Sequence, residues 1–318
     1  MATVATTRRL PLRKAARAKA GGEKERPMPI RRQLILQLIC VFITLTVLFP
    51  IVWIVSMSID PRNISRPDAL NLIPAGASLD AYASVLSRPT DNPISFLGLM
   101  ANSLKIAVGS SVAAVLLGIT AAYAFSRLKF RGRETLMIAV LGVLMLPSVA
   151  TIIPLYVFLN QFRIDVAGLS FNLRASLLGV TLAVISGQLP FAIWNLKGYL
   201  DTIPKDLEEA ASVDGASQNQ VFTKIVLPLS TPAIAVTGFL GFLGGWSEYL
   251  TCYMFIGGNP QDWTLSIALN SMVGQFARTT SWSQFGAFAI LFALPVSVVF
   301  FFFQRYLIGG LAVGGVKG

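Results

Sequence analysis

Few residues in this 318-residue chain are equipped to make or break bonds. It contains no histidine, the side chain that most often serves as general base or metal ligand near neutral pH. Its two cysteines, Cys40 and Cys252, each fall within an apolar stretch and make no disulfide framework. No GxxxxGK[ST] loop is present to hold nucleotide phosphates. These absences argue against an enzyme, a resident metal or a cofactor. The acidic residues that invite a reading are Asp206, Glu208, Glu209 and Asp214, crowded into one short segment, and Glu248, embedded in an apolar stretch. The first group sits among apolar and small residues, the chemistry of a surface that recognises another protein. Glu248 differs, because a carboxylate near lipid must face protein, water or a partner. With Tyr249, Gly241 and Gly245 it is a candidate to line a translocation path, although the glycines equally suit close helix packing.

The elements that must carry these residues can be read from local signals. The segment Lys197–Pro228, KGYLDTIPKDLEEAASVDGASQNQVFTKIVLP, reads as two short amphipathic helices around a tight turn. Pro204 suits a first helical turn, and Asp206, Glu208 and Glu209 lie where they complement the positive end of a helix. Leu207, Ala210 and Ala211 give that helix a small apolar face. Asp214-Gly215 stops it, with Gly215 able to take a left-handed cap. Ser217 and Gln220 form the S-x-x-Q pattern that starts a second helix, on which Val221, Phe222 and Ile225 share a stripe. Pro228 is expected to open the following span. Two apolar faces are more than a simple link needs, so the segment is either a docking loop for a partner or a hairpin resting on lipid.

Around it the chain is 54% hydrophobic and only 13% charged, with a mean hydropathy of +0.66. A soluble domain of this length would need more charge to cover its surface. Six stretches are long and apolar enough to cross a bilayer: 33–59, 106–126, 135–162, 175–196, 225–247 and 279–304. Pro50, Pro147, Pro154, Pro190, Pro232 and Pro295 fall within them and predict kinks. The net charge of +11 lies outside the spans, with ten Lys and Arg between Arg8 and Arg32, which speaks for a cytoplasmic tail and against nucleic acid. That basic tail also suits contact with anionic membrane lipid.

The run Glu209-Ala210-Ala211, Gly215, Ile225, Leu227-Pro228 matches EAA-x3-G-x9-I-x-LP, the signature of ABC importer permeases. The stretches WNLKGYLDTIPKDLEEAASVDGA and QRYLIGGLAVGGVKG resemble, more narrowly, the smaller permease subunit of the maltose-type carbohydrate importers. The similarity runs from about Leu34 to Gly318. It implies an all-α, polytopic membrane protein with six transmembrane helices and the type I ABC importer permease fold. It implies a larger second permease, a dimer of ATPase subunits that binds ATP and Mg, and an extracytoplasmic sugar-binding protein. The residues Leu207, Glu208, Glu209, Ala210, Ala211, Asp214, Gly215, Phe222, Ile225, Leu227 and Pro228 would couple to the ATPase. In the family Glu209 would ion-pair with a basic ATPase residue and both alanines would permit close approach. The C-terminal tail, with Gly314, Gly315 and Lys317, would reach the ATPase interface. The loop bearing Gly258, Gln261 and Trp263 would enter the binding protein's cleft. The expected function is ATP-driven import of a sugar such as maltose, maltodextrin or trehalose; a polyol or glycerol phosphate importer and a secondary transporter are the alternatives.

The resulting organisation is a basic tail (1–32), a first span (33–59), an external loop (60–100), a permease core (101–309) containing the coupling loop 197–228, and a C-terminal tail (310–318). With Lys105 set aside at the outer edge of the second span, the other 25 basic residues divide 19 to six in favour of the segments that lie inside if the N-terminus is cytoplasmic. Reporter fusions after Arg32, Lys129, Lys205 and Gly318 are therefore expected to register cytoplasm, and fusions near Asp80 and Asp262 the exterior. A cytoplasmic signal at Asp80 would contradict this topology.

Overall fold

Hydrocarbon offers a peptide group no hydrogen-bond partner, so an apolar chain crosses it as helices that satisfy their own backbone. The computed structural model describes residues 29–63, 72–166, 169–273 and 281–314. The basic tail before Pro29, Arg66, Arg278, Gly315 and Lys317 lie outside these. Four helices are each long and apolar enough to span a bilayer: α1 (Ile30–Ser58), α3 (Phe96–Arg127), α6 (Leu177–Leu200) and α13 (Trp282–Gly314). Two bent pairs make the candidate spans six if each counts as one: α4 (Arg133–Leu144) with α5 (Ser148–Asn160), and the helical rod Gln218–Leu229 with α10 (Thr231–Ser247). Short elements fill the connections. They are α2 (Asp80–Ser87), α7 (Asp206–Val213), α11 (Leu250–Ile256), α12 (Leu265–Ser271) and one two-stranded antiparallel hairpin, β1 (Arg163–Val166) with β2 (Leu169–Asn172). That hairpin, between α5 and α6, is the departure from an all-helical chain.

The chain forms two compact units, residues 1–51 and 52–318. The first contributes most of α1, an apolar helix whose side chains up to Ile51 are exposed. In the second unit α3 is central. Its packing against α6 and α10 is close because small residues meet there: Gly118 faces Ala192, Gly109 faces Thr181, and Gly241 faces Ser111. Gly245 is the tightest, since a Cβ added to it would stand 2.8 Å from the Ala107 Cα. The glycine stripe of α10 is thus a packing face towards α3. Gly241 and Gly245 are accounted for by that contact, and the alternative expectation that they line a path is replaced by it. Ser111 Oγ donates to Gly238 O at 2.6 Å, and Asn195 Nδ2 donates to Thr237 Oγ1 at 2.9 Å, adding directional bonds to the same three-helix contact.

Two expected spans are broken. The stretch 135–162 bends by 103° between Leu144 and Ser148. Pro147 has no N–H to continue the ladder and pushes Leu146 out of helical backbone, while Met145 and Leu146 close the first helix with three-residue turns back to Gly142 and Val143. The stretch 225–247 does not begin at Ile225. The rod that starts at Gln218 runs on to Leu229, and the chain turns by 72° at Ser230 before α10. Pro228 therefore sits within the rod instead of opening the span. A π turn over Phe222–Val226, in which the Leu227 N–H reaches back to Phe222 O, absorbs the proline's missing donor and its ring. Thr231-Pro232 opens the span, with proline in the first helical turn where no N–H is needed.

Overpacking a close helix contact costs about 1–3 kcal/mol. Gly245→Leu is expected to lower the thermal stability of the purified chain, whereas Gly142→Leu, whose Cβ meets open space, should leave it near that of the parent. Equal melting temperatures for the two variants would refute the α3–α10 contact.

Candidate functional site: the 201–230 loop

The loop between α6 and α10 is built from the local signals its sequence carries. α7 begins at Asp206, with Asp206, Glu208 and Glu209 in its first turn; Pro204 stands just outside it. The helix ends in a Schellman cap: Ala216 N–H donates to Ala211 O at 3.0 Å, and Gly215 N–H to Ser212 O at 3.1 Å. That cap requires a left-handed residue, and Gly215 has φ of +87°. Ser217 then forms a full capping box with Gln220 at the start of α8 (Gln218–Val221).

The loop has an inner and an outer face. Val221 and Val226 are buried, and with Ala211, Phe222 and Leu227 they pack on Ile119, Ala122, Leu196, Leu200 and Ile203 at the ends of α3 and α6. The Phe222 ring lies 4.8 Å from that of Tyr123, centroid to centroid. Ile225 is half-buried and Pro228 exposed. On the outer face Leu207, Glu209, Ala210, Val213, Asp214 and Gly215 are exposed, Val213 at 88%. Of the two alanines expected to allow a partner's close approach, Ala210 is exposed, while Ala211, one residue and about 100° further round, packs inward. Val213 belongs to the outer face and was missed, because periodicity placed it beyond the Leu207–Ala211 stripe.

Glu208 is a second correction. Grouped with the docking residues on its position in the segment, it is buried in an ion pair with Arg127, whose Nε stands 2.5 Å from Glu208 Oε1. The two side chains are 6% and 12% exposed. The remaining Arg127 donors reach Ser126 Oγ (2.9 Å), Leu200 O (2.9 Å) and Ile203 O (3.0 Å). A guanidinium with these four bonds can stay buried where a bare charge could not, and removing its acid would leave that charge uncompensated. Alongside, Asp201 accepts from Ser126 Oγ at 2.5 Å and from Lys197 Nζ at 2.6 Å. Burial pushes the Asp201 carboxyl up, but Lys197, Ser126 and the Arg127 charge outweigh it and hold the carboxyl below the usual range. A depressed carboxyl stabilises the fold above the ordinary aspartate value, and that contribution is lost as pH falls through the lower folded value. Glu209 has no ion-pair partner among the described residues. A cavity of about 560 Å³ opens beside it, between α7, α8 and the end of α3, with the Arg127–Glu208 pair in its wall.

At the opposite end of α3 lie the other candidates. Gly258 and Gln261 are exposed, but Trp263 is half-buried: it packs among side chains of α3, α6 and α11, and its indole Nε1 donates to Gly257 O at 2.8 Å. Trp263 therefore anchors its loop from within, in place of the free contact its loop position suggested. Glu248 ends α10 and accepts from Thr251 N at 2.8 Å, so its carboxylate caps α11. Tyr249 and Tyr253 stack with centroids 5.6 Å apart, and Tyr253 is exposed. Trp246, three residues before Tyr249, is buried in the core with its Nε1 donating to Phe292 O. Gly314 is the last described residue of α13, so helical backbone continues through the start of the expected 310–318 tail. Trp263→Phe, which removes the indole donor, is expected to lower the thermal stability of the purified chain, whereas Gln261→Ala, at an exposed side chain, should leave it near that of the parent. Equal melting temperatures for Trp263→Phe and the parent would refute the anchoring role.

Comparison with known proteins agrees with this architecture. The family model described as binding-protein-dependent transport system inner membrane component matches residues 114–312. The maltose/maltodextrin transport system permease protein MalG of Vibrio vulnificus strain YJ016 is 34% identical over 280 residues, covering 86% of this chain and 91% of that protein. MalG of Escherichia coli K12 is 32% identical over 295 residues, covering 90% and 96%. Among solved structures, a bacterial ABC transporter involved in the import of the acidic polysaccharide alginate has a TM-score of 0.71 at 22% identity, covering 86% of this chain and 95% of that one. The same type of transporter in complex with an alginate pentasaccharide-bound periplasmic protein has a TM-score of 0.63 at 17% identity, covering 87% and 94%. The helical membrane fold, the loop signature and these matches converge: the chain belongs to the binding-protein-dependent transport system inner membrane components, the permease subunits of ABC importers.

Proposed function

We propose that this chain is the smaller permease subunit of an importer for maltose or maltodextrins, working with a larger permease, two ATPase subunits and an extracytoplasmic sugar-binding protein. The observation that carries the coupling role is the outer face of the 201–230 loop. Leu207, Ala210 and Val213 expose apolar surface around an unpaired Glu209, at a turn fixed by Gly215. A partner supplying a cation for Glu209 and apolar surface for the rest would complete that face. The sugar class rests on the MalG relatives, which align along nearly their whole length.

On this reading the loop is cytoplasmic, the 257–273 region is external, and the chain itself performs no hydrolysis. ATPase closure moves the docking loop, and the helices behind it change which side of the membrane the path opens to. The test is co-expression with the neighbouring permease and ATPase. Glu209→Lys and Gly215→Asp should insert normally yet release the ATPase or uncouple its hydrolysis from maltose uptake. Full maltose transport by both variants would sink the coupling assignment, and uptake of trehalose or glycerol phosphate in place of maltose would sink the substrate.

A further inference from the structure

Five of the six candidate spans carry a proline or a break. Among the described residues α1, α5, α6 and α13 contain Pro50, Pro154, Pro190 and Pro295, α4 and α5 are separated by the 103° bend, and α10 meets its preceding rod at 72°. α3 alone runs unbroken and without proline, for 32 residues. Prolines and breaks are where helices bend, so α3 is the stiffest element crossing this fold. It is also the one fastened by side chains to irregular backbone at both ends.

At one end Arg127 bonds Glu208 of α7 and the carbonyls of Leu200 and Ile203, which lead into the docking loop. At the other, Asn102 Nδ2 donates to Gln261 O at 2.9 Å and Trp263 O at 3.1 Å. One residue on, Ser103 Oγ accepts from Leu265 N at 2.8 Å. Asn102 and Ser103 are both buried. The two fastening points are 25 residues apart on a single helix, about 37 Å. None of these bonds is needed to form α3, whose own backbone is satisfied. They add a second donor to Leu200 O, which already accepts from Ile203 N–H, an acceptor for Leu265 N–H, and an ion-pair partner for Glu208.

We propose that α3 is the strut that ties the docking loop to the 257–265 loop at the opposite end, with Arg127 and Asn102 as the positioning residues that hold its two ends. A displacement of α7 is transmitted to α3 because a buried, four-bonded guanidinium cannot shift without leaving charge and carbonyls unpaired. It leaves α3 at the far end through the paired bonds of Asn102. The inference deepens the proposed function and rests on it. It makes a coupling claim, so it needs a coupling measurement and not proximity alone.

The experiment uses the assembled complex of this chain, its second permease and the ATPase, reconstituted in lipid. The measured quantity is the ratio of ATP hydrolysis with maltose-loaded binding protein to hydrolysis without it. Arg127→Lys keeps the charge but loses the planar fork, and Asn102→Leu keeps the volume but loses both donors. Both are expected to co-purify with the ATPase while the stimulation ratio falls about fivefold or more, the scale of a typical coupling between sites. Glu208→Gln, which keeps an acceptor facing Arg127, should reduce the ratio less than Arg127→Lys. A ratio within about twofold of the parent in either Arg127→Lys or Asn102→Leu, with the complex intact, would overturn the strut, as would a larger loss in Glu208→Gln than in Arg127→Lys. A parent chain that recruits no ATPase at all would instead sink the permease reading beneath it.

Discussion

A backbone amide inside or beside a membrane needs a partner, and this fold supplies many of the difficult ones from α3. Where its neighbours are helical they satisfy themselves. Where helices end, at Leu200–Ile203, at Gln261–Trp263 and at Leu265, a donor or acceptor is added by Arg127, Asn102 or Ser103. Gly238 O, although helical, receives a further bond from Ser111. The buried polar residues of α3, Asn102, Ser103, Ser111, Ser126 and Arg127, bond to groups outside the helix. Its exposed stripe runs through the apolar Leu97, Val108, Val112 and Leu116, with Lys105 and Thr120 on the same side; the Thr120 hydroxyl is satisfied by Leu116 O of its own helix.

Central position also demands closeness. Between apolar helices in lipid there is little hydrophobic drive, and attraction comes from dispersion, which falls steeply with distance. Small residues at Gly109, Gly118, Gly241 and Gly245 bring the backbones together, and only at that spacing can Ser111 and Asn195 reach partners across the interface. Packing and hydrogen bonding here are one condition met twice.

Much of this was legible in the sequence because it is local. The four long apolar helices, the capping box at Ser217–Gln220 and the left-handed turn at Gly215 each depend on neighbouring residues, and the structure contains them as read. Pro147 marked a break, but a proline fixes only its own φ and its predecessor's range, so a 103° turn could not be told from a slight kink. Pro228 misled for a related reason: whether a proline ends a helix or is absorbed depends on a π turn that no single residue announces. The ion pair that sets Glu208 apart from Glu209 was out of reach. The two acids are adjacent and chemically alike, and what separates them is Arg127, 81 positions earlier in the chain. Trp263 was equally hidden, since a loop tryptophan and a buried anchor read alike until Gly257 O is seen beneath the indole.

The contrast between those two glutamates bears on how a docking loop can be both firm and receptive. A surface that must recruit a partner has to expose apolar and unpaired groups, and exposed short helices are marginal on their own. α7 has eight residues, too few to hold its shape in water. The inner face solves this: Ala211, Phe222 and Leu227 pack on the ends of α3 and α6, and Glu208 is locked by Arg127. With one acid committed to the scaffold, its neighbour Glu209 is held at a fixed height and direction without a partner of its own. Had both been free, the helix would lack its clamp; had both been paired internally, the outer face would offer no charge to recognise. On the proposed function, recognition by Glu209 would therefore depend on the burial of Glu208, and the two cannot exchange places without turning α7 by about 100° about its axis.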